Sequence, residues 1–202
     1  MGVSKELRRI LGMKTKEEDI RARIEGAVRT ILECLKVDLN SETYKGTPAR
    51  VATMALELLA GMDKANEPKL TLFENTGYRD ILMLKKIPFY SICAHHMLPM
   101  FGEVSIAYIP GSKIVGLSKL PRVVKYFSSR LQVQEDFTKE LADFLYKRLK
   151  AMGVLVVVKA RHLCLEMRGA RAGNVETVSS AIRGIFETSV PTKEEALRLL
   201  TS

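Results

Sequence analysis

An α+β fold, helices first and then an antiparallel sheet, is what the residue pattern of this chain predicts, and three observations carry it. Apolar residues recur at helical spacing through residues 16–61. From about residue 69 the texture shifts to runs rich in β-branched and aromatic residues. Successive extended runs are separated by short turns, which implies antiparallel pairing with helices covering one face.

Taken in order, "KEEDIRARIEGAVRTILECLK" (16–36) carries Ile20, Ile24, Val28, Ile31, Leu32 and Leu35 on one helical stripe behind an acidic first turn. "GTPARVATMALELLAGM" predicts a second helix, with Thr47 as N-cap, Pro48 in the first turn and Gly61 near its end. The polar linker "DKANEPK" divides an N-terminal helical segment, 1–66, from a domain spanning 67–202. "DILMLKKIPFYSI" and "EVSIAYIPGSKIVGLS" read as strands, with Pro110-Gly111 turning the chain between two extended pieces. "LPRVVKYFSSRLQ" and "QEDFTKELADFLYKRLKAMG" return to helical spacing, the second closing on Gly153. "VLVVVKARHLCLEM" is a long buried strand, "NVETVSSAIRGIF" fits helix or strand equally, and "PTKEEALRLL" is a short final helix. The order is two helices, then β-β-α-α-β-β, then a helix.

With 202 residues the chain can bury a real core. No apolar run approaches the roughly 20 residues that span a bilayer. The charged stretch "MGVSKELRRILGMKTKEEDI" lacks the apolar centre of a secretory signal, and "MGVSKE" does not complete a myristoylation signal. Three cysteines are too few for a disulfide framework and fit a reducing compartment, so the expected location is the cytoplasm. Cys34 lies on an amphipathic helical pattern and reads as a small core residue. The net charge of +9 favours an anionic partner. That partner could be nucleic acid, anionic lipid or a phosphorylated small molecule. No block of like charges and no interleaving of Lys/Arg with aromatics marks a nucleic-acid platform, and net charge alone does not choose among them.

The chemistry gathers in two windows. "SICAHHMLPM" holds Cys93, His95 and His96, and "ARHLCLEMRG" holds His162 and Cys164, so all three histidines and two of three cysteines fall in them. Cys93-x-x-His96 is a local chelate spacing, and on one strand His162 and Cys164 would share a face. A catalytic zinc uses three protein ligands and keeps a position for water, so five donors are too many. If Cys93, His96 and Cys164 bind, His95 and His162 stand beside the metal as imidazoles suited to proton transfer near neutral pH. A four-ligand structural zinc, a metal-free pair of buried clusters, and a Cys93 nucleophile paired with histidine remain as alternatives.

Around the start of a helix, "GLSKLPRVVKYFSSRLQVQED" offers Ser118, Lys119 and Arg122, where backbone N–H groups and the dipole favour an anion. Arg168 and Arg50 are further cations that would suit a substrate with phosphates. Glu135 reads either as an ordinary first-turn acid or as an acceptor for two N–H groups of a base such as guanine.

"CAHHMLP", "GLSKLPRVVKYFSSRLQVQE" and "HLCLEMRG" closely resemble the signature blocks of GTP cyclohydrolase I, and "GTPARVATM", "NEPKLTLFEN" and "ETVSSAIRGIF" match weaker blocks in the same order. The likeness covers roughly residues 20–198. It implies the tunnelling fold, with β-β-α-α-β-β units joined edge to edge, and it favours a strand near residue 180. It also implies a homo-oligomer, a decamer of two pentameric rings with active sites at subunit interfaces. Carried over to this chain, it implies zinc on Cys93, His96 and Cys164. His162 would protonate N7 of GTP as water attacks C8, which leaves as formate, and rearrangement would give 7,8-dihydroneopterin triphosphate. His95 would lie near the ribose, Glu135 would hold the guanine edge with Gln134 assisting, and Ser118, Lys119, Arg122 and Arg168 would bind triphosphate or ribose. Arg50 would approach from a neighbouring subunit.

Two positions depart from the family pattern. Ala94 stands where a glutamate is usual, removing a negative charge beside the histidines, and Thr53 replaces a basic residue often found three positions after Arg50. Two other readings therefore stand beside the full reaction. One is a variant that stops at the ring-opened formamidopyrimidine or takes another purine triphosphate. The other is a non-catalytic nucleotide-binding protein with structural zinc, which has no need of Glu135, His162 and Ser118.

Overall fold

Thr15 opens helix α1 (Lys16–Cys34) with a reciprocal cap. Its hydroxyl accepts from the Glu18 N–H at 3.2 Å, and the Glu18 carboxylate accepts from the Thr15 N–H at 2.7 Å. The pair satisfies N–H groups that a helix start otherwise leaves open, and Glu17, Glu18 and Asp19 place negative charge where the dipole favours it. The computed structural model describes residues 15–201; the reading of the first residues as free of a secretory or acylation signal lies outside them.

The chain divides into two compact units between Leu58 and Leu59, a little before the linker that suggested a boundary at 66/67. In the first unit α1 is followed by α2 (Thr47–Leu58), which begins at Thr47 with Pro48 in its first turn. Residues 60–66 belong to the second unit and form two short 3-10 turns, Ala60–Met62 and Lys64–Asn66.

The second unit is built on a five-stranded sheet in the order β5–β2–β3–β6–β7, from β2 (Leu82–Cys93), β3 (Pro99–Ile109), β5 (Leu131–Gln132), β6 (Gly153–His162) and β7 (Thr177–Gly184). All its pairings are antiparallel except that of β5 with β2, where Cys93 lies opposite Gln132. A separate ribbon pairs β1 (Leu72–Glu74) with β4 (Lys113–Val115), so the extended piece after Pro110 leaves the main sheet. The ambiguous segment after residue 175 is strand β7, because it completes a ladder with β6 from Gly153↔Gly184 to Ala160↔Thr177.

Side-chain alternation assigns the two faces. Phe89, Val104, Ile106, Val156 and Val158 lie under α3 (Lys119–Ser128) and α4 (Gln134–Leu149), meeting Val123, Phe137, Leu141 and Leu145. Each such fully buried side chain stabilises the fold by about 2 kcal/mol. On the opposite face Ala107, Ile109 and Leu155 meet Phe186 and the final helix α5 (Val190–Thr201) through Ala196 and Leu200. At Gly102 the β3 backbone passes so close to β6 that a Cβ would sit 2.0 Å from Lys159 O.

Four sequence expectations need correction. Cys34 is exposed on α1 and is not a core residue. Helix α2 ends at Leu58, and Gly61 lies in the 3-10 turn that follows. Helix α4 ends on Lys150, which adopts the left-handed conformation at φ 47°, and Gly153 instead starts β6, where a Cβ would come within 2.8 Å of Ile185 Cγ2. The strand expected to run on through Cys164 stops at His162, and Leu163–Glu166 forms a helical turn. Its partner on β3 explains the stop: the ladder ends at Met100↔His162, so the chain beyond has no strand to pair with and closes its own bond from Met167 N–H to Leu163 O.

Arg183 of β7 donates from Nε to Asp143 Oδ1 of α4 at 2.6 Å, and this bond holds the Asp143 carboxyl below the usual carboxylate range. Because the folded value is lowered, the contribution is present above the unfolded value of about 4 and is lost as pH falls through the folded one. Replacing Asp143 by Ala should cost about 1 kcal/mol at pH 7. In urea titrations stepped downward in pH, the gap between variant and parent should close below about pH 4.

Candidate metal centre

Cys93 is the last residue of β2 and is buried. Its N–H donates to Leu98 O and its carbonyl accepts from Met97 N–H, both at 2.9 Å, closing a tight turn in which Met97 takes a left-handed φ of 54°. The Ala94 N–H donates to Gln132 O at 3.0 Å, so the turn is also tied to the connection between α3 and α4. Gln132 Nε2 in turn donates to Ser91 Oγ at 3.1 Å and Phe127 O at 2.7 Å, which anchors that connection on β2 just before Cys93.

His162 ends β6, and Cys164 follows in the helical turn, so the turn and not strand alternation presents both side chains together. Ligand atoms of Cys93, His162 and Cys164 all lie within 4.8 Å of one another. The two sulfurs are 3.8 Å apart. Two thiolates at about 2.3 Å from a tetrahedral zinc would be separated by about 3.8 Å, so the pair is spaced for such an ion. Two sulfurs and an imidazole also form a donor set suited to zinc. Burial pushes the Cys164 thiol above its ordinary value, the contact with Cys93 adds to this, and Arg168 opposes it. Bringing Cys164 into the thiolate form thus calls for a compensating cation.

His95 and His96 are exposed on the turn after Cys93, with ring centroids 6.4 Å apart. His95 Nδ1 lies 3.9 Å from Cys93 Sγ, whereas His96 stands outside the close group of three. His162 Nε2 is 2.8 Å from Gln134 Oε1. Burial holds the His162 imidazole below its ordinary value, the Glu135 carboxylate pulls the other way, and His95 adds to the depression.

A cleft of about 240 Å³ opens here, walled by Cys93, His95, Gln134, Glu135, His162 and Cys164 among others. Glu135 is exposed in the first turn of α4, while Gln134 beside it is buried at 1% exposure. Ser118, Lys119 and Arg122 stand at the start of α3, and Arg168 lies just beyond the Cys164 turn; none of the four forms the cleft wall. Arg50 belongs to the first unit, where Nη2 donates to Thr43 O at 3.2 Å and Thr47 Oγ1 at 3.0 Å. The nearby Thr53 hydroxyl donates to Ala49 O at 3.0 Å, back along its own helix. Sequence reasoning did not find Ser179 and Thr138, which surround the Gln134 amide; an ordinary Ser and Thr on buried faces carry no local signal.

The family model of GTP cyclohydrolase I matches residues 24–201. GTP cyclohydrolase 1 of Aquifex aeolicus is 47% identical over 181 residues, covering 89% of this chain and 96% of its own. The protein of that name from Pelotomaculum thermopropionicum is 44% identical, covering 88% and 95%. That from Campylobacter jejuni is 42% identical, covering 91% and 97%. Among solved structures, archaeosine synthase QueF-Like in the apo form aligns with a TM-score of 0.41 at 18% identity, over 55% of this chain and 97% of its own.

Replacing Cys93 or Cys164 by Ser should weaken zinc retention more than about 100-fold, the upper range for losing an outer partner of a metal site. Metal content after competition with a chelator reads the loss, and an unchanged far-ultraviolet dichroism spectrum separates it from unfolding.

Proposed function

Because the chain belongs to the GTP cyclohydrolase I family, we propose that it opens the imidazole ring of GTP hydrolytically, releases C8 as formate and forms 7,8-dihydroneopterin triphosphate. The observation that supports this reading most directly is the Cys93–His162–Cys164 group in a cleft that also presents Glu135. Cys93 and Cys164 would hold zinc together with His96, which lies on the turn that Cys93 starts. When bound, zinc supplies Lewis acidity and lowers the pKa of water.

The remaining roles fall to side chains around that centre. His162, half-buried and with its imidazole held below its ordinary value by that burial, would carry the proton to purine N7. Glu135, exposed at the cleft wall, would accept two N–H bonds from the guanine edge. His95, beside Cys93, would lie near the ribose, and Gln134, at the cleft wall, would assist Glu135 at the guanine edge. Ser118, Lys119, Arg122 and Arg168 would take the triphosphate, giving the excess positive charge of the chain a small anionic partner in place of nucleic acid or membrane. Arg50 would be supplied by a neighbouring copy in a homo-oligomer, a decamer of two pentameric rings. No described helix is long and apolar enough to cross a membrane, and the cytoplasm is the proposed location.

The close group favours a second reading of one role. His162 stands where His96 was expected, so His162 itself would be the nitrogen ligand and N7 would lack this proton carrier. The two histidines separate the readings. If His96 is the ligand, His96→Ala loses zinc, whereas His162→Ala keeps zinc and loses about 100-fold or more in kcat. The reverse pattern makes His162 the ligand.

The reaction itself is tested by incubating the zinc-loaded protein with GTP and assaying formate and, after oxidation, neopterin fluorescence. Equal amounts of the two products are expected. Formate without pterin would place a block after ring opening, and neither product from folded, metal-loaded protein would sink the GTP assignment.

A further inference from the structure

Gln134 begins α4 and its side chain is buried, so its carboxamide must find partners inside the protein. Nε2 lies 3.1 Å from Val158 O, 3.1 Å from Thr177 O and 3.0 Å from Ser179 Oγ, while Oε1 faces His162 Nε2 at 2.8 Å. Two neighbours on the nitrogen side are carbonyls, which only accept. Reversing the amide would set oxygen against oxygen, so this orientation is the one the surroundings allow.

The consequence reaches the imidazole. An amide oxygen only accepts, so His162 Nε2 must carry the hydrogen, and in the neutral ring the lone pair is left on Nδ1. A second set of bonds holds the amide in place. Thr138 Oγ1 donates to Gln134 O at 2.7 Å and lies 2.7 Å from Ser179 Oγ. With the Thr138 hydrogen committed to Gln134 O, the Ser179 hydroxyl donates to Thr138 and keeps its lone pairs for Gln134 Nε2. The two amide hydrogens meet three acceptors, leaving neither for a ligand.

We propose that Gln134 is a positioning residue, a buried amide clamped by Val158, Thr177 and Ser179 that fixes His162 as the Nε2–H tautomer and so makes Nδ1 the nitrogen that exchanges a proton with the substrate. The inference rests on the reading of His162 as proton carrier. It gives Gln134 a role different from assisting Glu135 at the guanine edge, and it brings β7 and α4 residues outside the expected site into its support. The Nε2 hydrogen stays in its bond to Gln134, while Nδ1 takes the proton that the water attacking C8 loses and passes it to purine N7, which returns the ring to its starting state.

The test labels the three histidines with 15N in the zinc-loaded protein and assigns His162 by its loss in His162→Asn. At a pH where the ring is neutral, Nε2 should show the protonated and Nδ1 the unprotonated shift. In Gln134→Met, which keeps length but offers no acceptor, the tautomers should mix, and kcat should fall about 10-fold or more while KM for GTP moves less than about threefold. An Nδ1–H tautomer in the parent protein, or Nδ1 on the metal, overturns the proposal without any variant that has to fold. A variant whose KM rises with kcat unchanged also overturns it, because Gln134 would then be touching the purine. The ring shifts are read without turnover, so a protein inactive on GTP would sink the functional assignment while this measurement still decided the tautomer.

Discussion

The register between β3 and β6, running from Met100 opposite His162 to Ile109 opposite Gly153, is the constraint on which the site depends. β2 and β3 form a hairpin whose turn begins at Cys93, so the start of β3 carries the first cluster with it. Pairing Met100 with His162 then brings the second cluster beside the first. A slip of one residue would turn every β6 side chain to the other face and leave Val156 and Val158 without the α3 and α4 core. The apolar packing that sets the register is thereby also what sets the 3.8 Å between two sulfurs.

Ending the ladder is as consequential as starting it. Past Met100 the chain on the β3 side is occupied with the turn from Cys93, and β6 has nothing further to pair with. The helical turn that follows places Cys164 beside Cys93. Two thiols 3.8 Å apart, one of them buried and the other raised above its ordinary value by burial, are a donor pair that a cation between them would stabilise.

Around this centre the protein separates the buried from the exposed with one helix start. Gln134 and Glu135 are adjacent in the first turn of α4, yet the amide turns into β6 and β7 while the carboxylate stays in the cleft. The neutral side chain can satisfy its hydrogens on buried carbonyls without the heavy desolvation cost that a carboxylate would meet there. Neighbouring residues of similar size thus have opposite surroundings, because their charge differs and because successive helix positions point about 100° apart.

The α+β order, the helices, the strand positions and the clustering of Cys93, His95, His96, His162 and Cys164 were legible in the chain, because periodicity and residue chemistry are local properties. The signature blocks also carried family membership. Periodicity left residues 177–184 open, and the family resemblance favoured the strand that the ladder with β6 completes. Tertiary structure decided what depends on a partner strand or a buried neighbour: the end of β6 at His162, the small β1–β4 ribbon and the parallel β5. It also decided that His162 joins the two sulfurs and that Ser179 and Thr138 enclose the Gln134 amide. Spacing along a chain states which donors are available. Which of them meet, and which nitrogen keeps its hydrogen, follows from three-dimensional register and from the need to pair every buried polar atom.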